Sequence, residues 1–256
     1  MSWFDWLFHG GSREPAGMPA EWRTIVERRV PHWAFLDDEE RDRLETIALH
    51  LINDKRWEAA NGFEVTDEIV VTISAQAALL ALGLPDGVYR KVRTIVVHPS
   101  TLVLRGEHSY GGGIMSRDPQ AVLGLVHTSG TVVIVWDAVL DDARHPGRGH
   151  NVVLHEFAHQ LDLLDGVSDG TPPVATGEQF NRWVEVCTRV YHDVARGRGG
   201  RSLRSYAGVN PSEFFAVATE AFFGAPAVLR REHRELYEVL SDYYLQDPLK
   251  RVRRHA

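Results

Sequence analysis

The segment 151–162, NVVLHEFAHQLD, holds the residue types that chemistry needs. His155, Glu156 and His159 stand in the pattern H-E-x-x-H. On a helix, residues four apart share one face, so the two imidazoles can offer nitrogens to a single metal ion. Glu156 is turned one residue step away from that pair. A carboxylate there reaches water at the metal rather than the metal itself. Val152, Val153, Leu154, Phe157, Ala158 and Leu161 make the surroundings apolar. A polar triplet buried in such a helix is costly unless it has partners.

Two histidines leave a zinc site incomplete. A catalytic zinc has three protein ligands and one open position. Downstream candidates for the third are Asp162, Asp165, Asp169, Glu178, Glu185, His192, Glu213 and Glu220. Asp162 is better suited to accept the outer N–H of a ligating imidazole. Glu213 and Glu220 are seven residues apart in 210–223, NPSEFFAVATEAFF, hence on roughly one face of a helix. Glu213 also lies three residues after Asn210, where a capping-box glutamate folds back to the cap residue's N–H. Glu220 sits among Ala218, Ala221, Phe222 and Phe223 and needs a buried partner, a role a metal-bound histidine would fill. Spacing alone leaves the choice between the two open.

The rest of the chain must position these groups. Its 256 residues are 44% hydrophobic and 25% charged, an ordinary globular composition. Pattern and propensity predict helices over 20–30, 36–55, 75–82, 178–195, 210–223 and 230–244, besides the motif helix. They predict strands over 68–74 (EIVVTIS), 94–98 (TIVVH), 120–127 and 131–136 (TVVIVW). The expected fold is α+β, mostly helical with a small mixed sheet, as one domain over 20–247. An apolar arm and a Gly/Pro-rich linker (1–19) precede it, and a basic tail (248–256) follows, expected to be solvated. Trp3, Phe4, Trp6, Leu7 and Phe8 of the arm are expected to dock on the body. Asp5 and the lack of a basic n-region argue against a signal peptide or a membrane span. The glycines at 111–113 lack phosphate-loop spacing and read as a loop.

A net charge of −7 gives no basic footprint for direct nucleic-acid binding. The single cysteine, Cys187, excludes a disulfide within the chain and a multi-thiolate zinc site. Any metal must be held by histidine and carboxylate. A cytoplasmic location is expected from the same count.

Several stretches together resemble the Mlc titration factor A family of bacterial zinc metallopeptidases. They are HEFAHQLD, Tyr206-Ala207, the run from Pro211 through Glu213 to Val217 (PSEFFAV), Glu220-Ala221-Phe222-Phe223, and 244–249 (YLQDPL). Weaker similarity reaches upstream to Gly62-Phe63-Glu64, Leu82-Gly83-Leu84 and the strand ending in Trp136. The resemblance implies a zincin-like catalytic domain related to that of anthrax lethal factor, one Zn2+ per chain, and aminopeptidase-like activity on a peptide or protein substrate. It implies Glu213, rather than Glu220, as the third ligand. It also implies that Tyr206 faces the metal, where its hydroxyl could donate to an oxyanion, a role worth ~3 kcal/mol. Glu156 is then the general base. Strand 131–136 is expected at the sheet edge beside the cleft, where an extended peptide adds as a further strand. Residues 100–118 and 167–177 match nothing in the family pattern and are expected to shape the cleft.

A different class of function shares these residues. Family members resemble a factor that sequesters the glucose repressor Mlc, so a transcriptional regulator is a candidate partner, with peptidase activity secondary or absent. Hydrolysis of a non-peptide amide is a third reading. The intact Glu156 argues for chemistry, because a purely structural site has no use for a base.

Overall fold

The computed structural model describes residues 17–60, 62–100 and 130–254, with the backbone of short strands between 102 and 127. The chain starts with α1 (Ala20–Arg29), a 3-10 turn, and α2 (Asp38–Asp54). Asp37 caps α2 by accepting the Glu40 N–H, and the Glu40 carboxylate returns to the Asp37 N–H, a complete capping box. A short strand β1 (Arg56–Ala59), helix α3 (Asp67–Leu80) and strand β2 (Thr94–His98) follow. Then come β3 (Leu102–Val103), β4 (His108–Tyr110), β5 (Ile114–Ser116), β6 (Ala121–Val122), β7 (Gly124–His127) and β8 (Thr131–Val135). The remainder is helical: α4 (Trp136–Arg144), α5 (Val152–Asp162), α6 (Gly177–Ala195), α7 (Pro211–Gly224), α8 (Pro226–Glu232), α9 (Arg234–Tyr244) and α10 (Pro248–Arg254).

Four strands form one sheet in the order β1-β2-β8-β7. β1, β2 and β8 run parallel, and β7 closes the edge antiparallel to β8, with Leu125 opposite Val133. β3 pairs with β6 and β4 with β5 as separate antiparallel ribbons. The expected α+β class with a small mixed sheet is therefore what the chain adopts. Among the described residues, no single helix is long and apolar enough to cross a membrane.

Three expectations are corrected. Residues 68–74 are not a strand but the first half of α3. This helix is buried from Ile69 through Leu80 and packs against α1, α2 and α5. Burial on every side suits any apolar run, so the β-branched residues do not decide the backbone. Asp67 and Glu68 in its first turn suit a helix start. Second, Thr131–Val135 is not the edge strand, since it lies between β2 and β7, and Trp136 opens α4. The edges of this sheet are β7 and, on the far side, β1. Third, 248–254 is not a solvated tail. It is a helix whose Arg251 is buried, paired with Glu40 at 2.7 Å and bonded to the Gln246 side chain at 2.9 Å. The apolar arm and the glycines at 111–113 lie outside the described residues.

α7 is the pivot of the C-terminal half. One side meets α5, and the other meets an aromatic cluster that includes Phe222, Phe223, Tyr237 and Tyr244. The Tyr244 hydroxyl is satisfied by Thr219 at 2.7 Å. Phe222 is fully buried, so truncation leaves a cavity that the surrounding rings cannot fill. Phe222→Ala is expected to cost ~3–5 kcal/mol, read as a lower urea midpoint. A loss under ~1 kcal/mol would mean that α7 is not anchored by this cluster.

Candidate metal centre

α5 carries His155, Glu156 and His159, and its position is set by side chains from three other helices. Asn151 caps it, accepting the Leu154 N–H at 2.9 Å, while its own amide donates to Gln76 of α3 at 2.8 Å. The backbone N–H of Asn151 donates to Glu220 of α7 at 2.7 Å, and that of Val152 to Asp142 of α4 at 2.7 Å. Two carboxylates thus satisfy N–H groups that have no partner inside the helix, at its positive end.

α7 starts at Pro211 behind Asn210, whose side chain accepts the Glu213 N–H at 2.9 Å. The Glu213 carboxylate turns toward the two histidines. Its Oε2 is 3.1 Å from His155 Nε2 and 3.6 Å from His159 Nε2, and the two Nε2 atoms are 3.3 Å apart. Among the described residues these three side chains form the one group able to hold a metal ion. Of the other sequence candidates, Glu220 and Asp162 stand behind the histidines, and Asp165, Asp169, Glu178, Glu185 and His192 are not in the group.

The outer ring nitrogens are engaged. His155 Nδ1 is 2.7 Å from Glu220 Oε1, and His159 Nδ1 is 3.0 Å from Ser212 Oγ. Ser212 in turn donates to Asp162 Oδ2 at 2.8 Å. Its single proton is therefore spent, and His159 must donate from Nδ1. Asp162, expected to accept an imidazole N–H itself, reaches His159 through Ser212. The loop after α5 closes on the same oxygen: the Gly170 N–H donates to Asp162 Oδ2 at 3.0 Å, and the Ser168 hydroxyl approaches at 3.3 Å. With both Nδ1 atoms engaged by their neighbours, Nε2 of each ring is the atom turned toward Glu213.

This arrangement fits zinc. Ligand bonds of ~2.1 Å in a tetrahedron place donor atoms roughly 3.4 Å apart, and the three separations are 3.1, 3.3 and 3.6 Å. Glu213 Oε2 has no well-formed hydrogen bond among the described residues. Nitrogen–oxygen donor sets of this kind are ordinary for zinc.

The electrostatics favour a cation. Burial works against a charged His155, yet Glu220 and Glu213 carry its pKa up to about 10. Burial opposes ionisation of Glu213 as well, but its contacts with His155 and His159 hold it well below the usual carboxylate range. Glu220 is likewise lowered against its burial, by His155 and then Arg204. Glu156 goes the other way: burial pushes it up to about 7, against the pull of His155 and His159. Its Oε2 is buried with no hydrogen-bond partner among the described residues.

Tyr206 lies in the 3-10 turn Ser205–Gly208, its ring centroid 6.1 Å from that of His155. It is 37% exposed, so it borders the site instead of filling the core. Sequence reasoning missed three contributors: Ser212, Arg204 and the pair formed by Asp142 with His150 at 2.5 Å. Ser212 had a readable signal, a hydroxyl in the first helical turn beside Glu213. Arg204 had none.

A buried His-His-Glu group carried by two helices, with Glu156 Oε2 unbonded beside it among the described residues, is a donor set able to hold a metal ion. The sequence comparisons agree. The profile of the family described as glucose-regulated metallo-peptidase M90 matches residues 10–245, and the chain belongs to that family. It is 32% identical over 251 residues to the uncharacterized protein slr2042 of Synechocystis, covering 96% of this chain and 90% of the relative. Mlc titration factor A of Edwardsiella ictaluri is 31% identical over 229 residues, 87% of each chain. Mlc titration factor A of Yersinia enterocolitica is 28% identical over 255 residues, 97% of this chain and 93% of the relative.

The loop that seats Asp162 depends on Gly170. Its φ is +77°, and a Cβ there would lie 2.2 Å from the Pro211 carbonyl oxygen at the start of α7. Gly170→Ala should therefore cost more than the ~1–2 kcal/mol of a left-handed backbone alone. Chemical denaturation would show it, and an unchanged midpoint would rule out the close approach of this loop to α7.

Proposed function

We propose that this chain is a zinc-dependent peptidase with a zincin-like catalytic domain, and that His155, His159 and Glu213 hold the metal. The convergence of these three donors beside Glu156, whose Oε2 has no hydrogen-bond partner among the described residues, is the observation that carries the reading. Zinc held there supplies a Lewis acid and lowers the pKa of water toward neutrality.

The chain's own residues supply the rest. Glu156, whose Oε2 has no hydrogen-bond partner among the described residues, is placed to take a proton from the attacking water and return it to the leaving amine. Glu220 and the Ser212–Asp162 pair fix the two rings so that Nε2 faces inward. Tyr206 donates from its hydroxyl to the carbonyl oxygen on which charge develops. The edge strand β7, packed beside α5, offers its outer backbone to an extended peptide. Aminopeptidase-like action on small peptides is the activity we infer from the family resemblance.

A second reading rests on the relatives' name. Mlc titration factor A ties those proteins to Mlc, and a transcriptional regulator of that kind is a candidate partner of this chain. A pull-down comparing wild type with Glu156→Gln separates the two roles, since binding would survive the loss of the base.

The experiment for the peptidase reading is cleavage of a peptide library with and without chelator, alongside metal analysis. Glu156→Gln should retain one zinc per chain and lose ~10²–10⁴-fold in kcat. Cleavage at the wild-type rate by that variant would sink the mechanism. Glu213→Ala should lose stoichiometric zinc; if it keeps zinc while Glu220→Ala loses it, the ligand assignment is wrong.

A further inference from the structure

We propose that Arg204 is a positioning residue that sets both the outer support of His155 and the place of Tyr206, so that one guanidinium couples the metal ligand to the oxyanion donor. The inference rests on the reading of His155 as a zinc ligand.

Arg204 belongs to neither site helix. It lies between α6 and the turn that carries Tyr206. Its Nη2 donates to Glu220 Oε1, the same oxygen that receives His155 Nδ1, and stands 3.5 Å from that nitrogen. Its guanidinium carbon lies 5.6 Å from the centroid of the Tyr206 ring. The ring in turn lies beside His155 at an interplanar angle of 36°. Arg204, Glu220, His155 and Tyr206 therefore form a closed circuit, with Arg204 beside each of the other three.

Glu220 is fully buried, and a buried carboxylate needs a compensating charge as well as hydrogen bonds. Arginine supplies one that it does not lose in proteins. Its second oxygen is committed to the Asn151 N–H at the start of α5, so the carboxylate cannot swing without disturbing the helix. The planar fork does two things at once: an N–H edge fixes the carboxylate, and a flat face lies over an aromatic ring. Among the described residues Arg204 Nε is buried without a hydrogen-bond partner, a desolvation cost that the other two contacts must offset.

Lysine separates the two tasks. It can pair with Glu220 as a point charge but has no flat face for Tyr206. The test is zinc affinity by chelator competition, together with kcat and KM on a fluorescence-quenched peptide library, for wild type, Arg204→Lys and Arg204→Met. Arg204→Met is expected to bind zinc ~10–100-fold more weakly. Arg204→Lys is expected to keep zinc affinity within roughly 3-fold, while kcat falls about 10-fold at unchanged KM. Should Arg204→Met fail to fold, Arg204→Lys decides alone. A lysine variant equal to wild type in both readouts, or one that loses zinc, overturns the inference. Wild-type zinc binding with an unaffected, folded Arg204→Met also overturns it and leaves the peptidase reading intact. A wild-type protein that binds no zinc overturns both.

Discussion

A carboxylate with no access to water holds this structure together at its chemical centre. Glu220 joins the N–H that opens α5, the outer nitrogen of His155 and the guanidinium of Arg204. Burying such a charge is unfavourable by several kcal/mol unless every lone pair is met and the charge is balanced. The chain meets that condition with groups from three separate segments. The same contacts decide which nitrogen of His155 faces inward. Stability of the interface between α5 and α7 and the chemistry of the inner nitrogen are thus one arrangement seen from two sides.

The second imidazole is supported by a different device. His159 leans on Ser212, and behind it Asp162 collects a hydroxyl and the backbone N–H of Gly170. Among the described residues no arginine enters this branch, so it is held by neutral donors around an acid whose pKa burial has raised. The two histidines of one motif consequently sit in unlike fields: one against an ion pair, the other against a chain of hydrogen bonds. Glu156 lies outside both branches. Its Oε2 has no hydrogen-bond partner among the described residues.

The sequence made some of this legible and hid the rest, for reasons that differ by residue. The motif helix could be read because spacing of four requires no knowledge of tertiary structure, and Asn151 and Asn210 announce their helices by cap chemistry. α3 was hidden because EIVVTIS satisfies strand propensity locally, while the fold buries it as a helix on all sides. The order of strands is not a local property, so the sequence does not show that β8 lies inside the sheet. Yet TVVIV, an apolar run without alternation, does carry the mark of a strand covered on both faces. Glu213 and Glu220 could not be ranked by spacing, because both lie on the face of α7 that meets α5. What separates them is depth along that face, and only the packing of the helices sets it. Arg204 has no periodicity, cap or motif around it, and its ion-pair partner Glu220 lies 16 residues on, in another helix.

The hydrogen bond from the Asn151 N–H to Glu220 spans 69 residues of chain. Synthesis proceeds from the N-terminus, so both histidines leave the ribosome well before the residues that orient them. A nascent chain ending ahead of Pro211 carries the H-E-x-x-H helix without Glu213, Ser212 or Glu220. The three donors are together only once α7 has docked on α5.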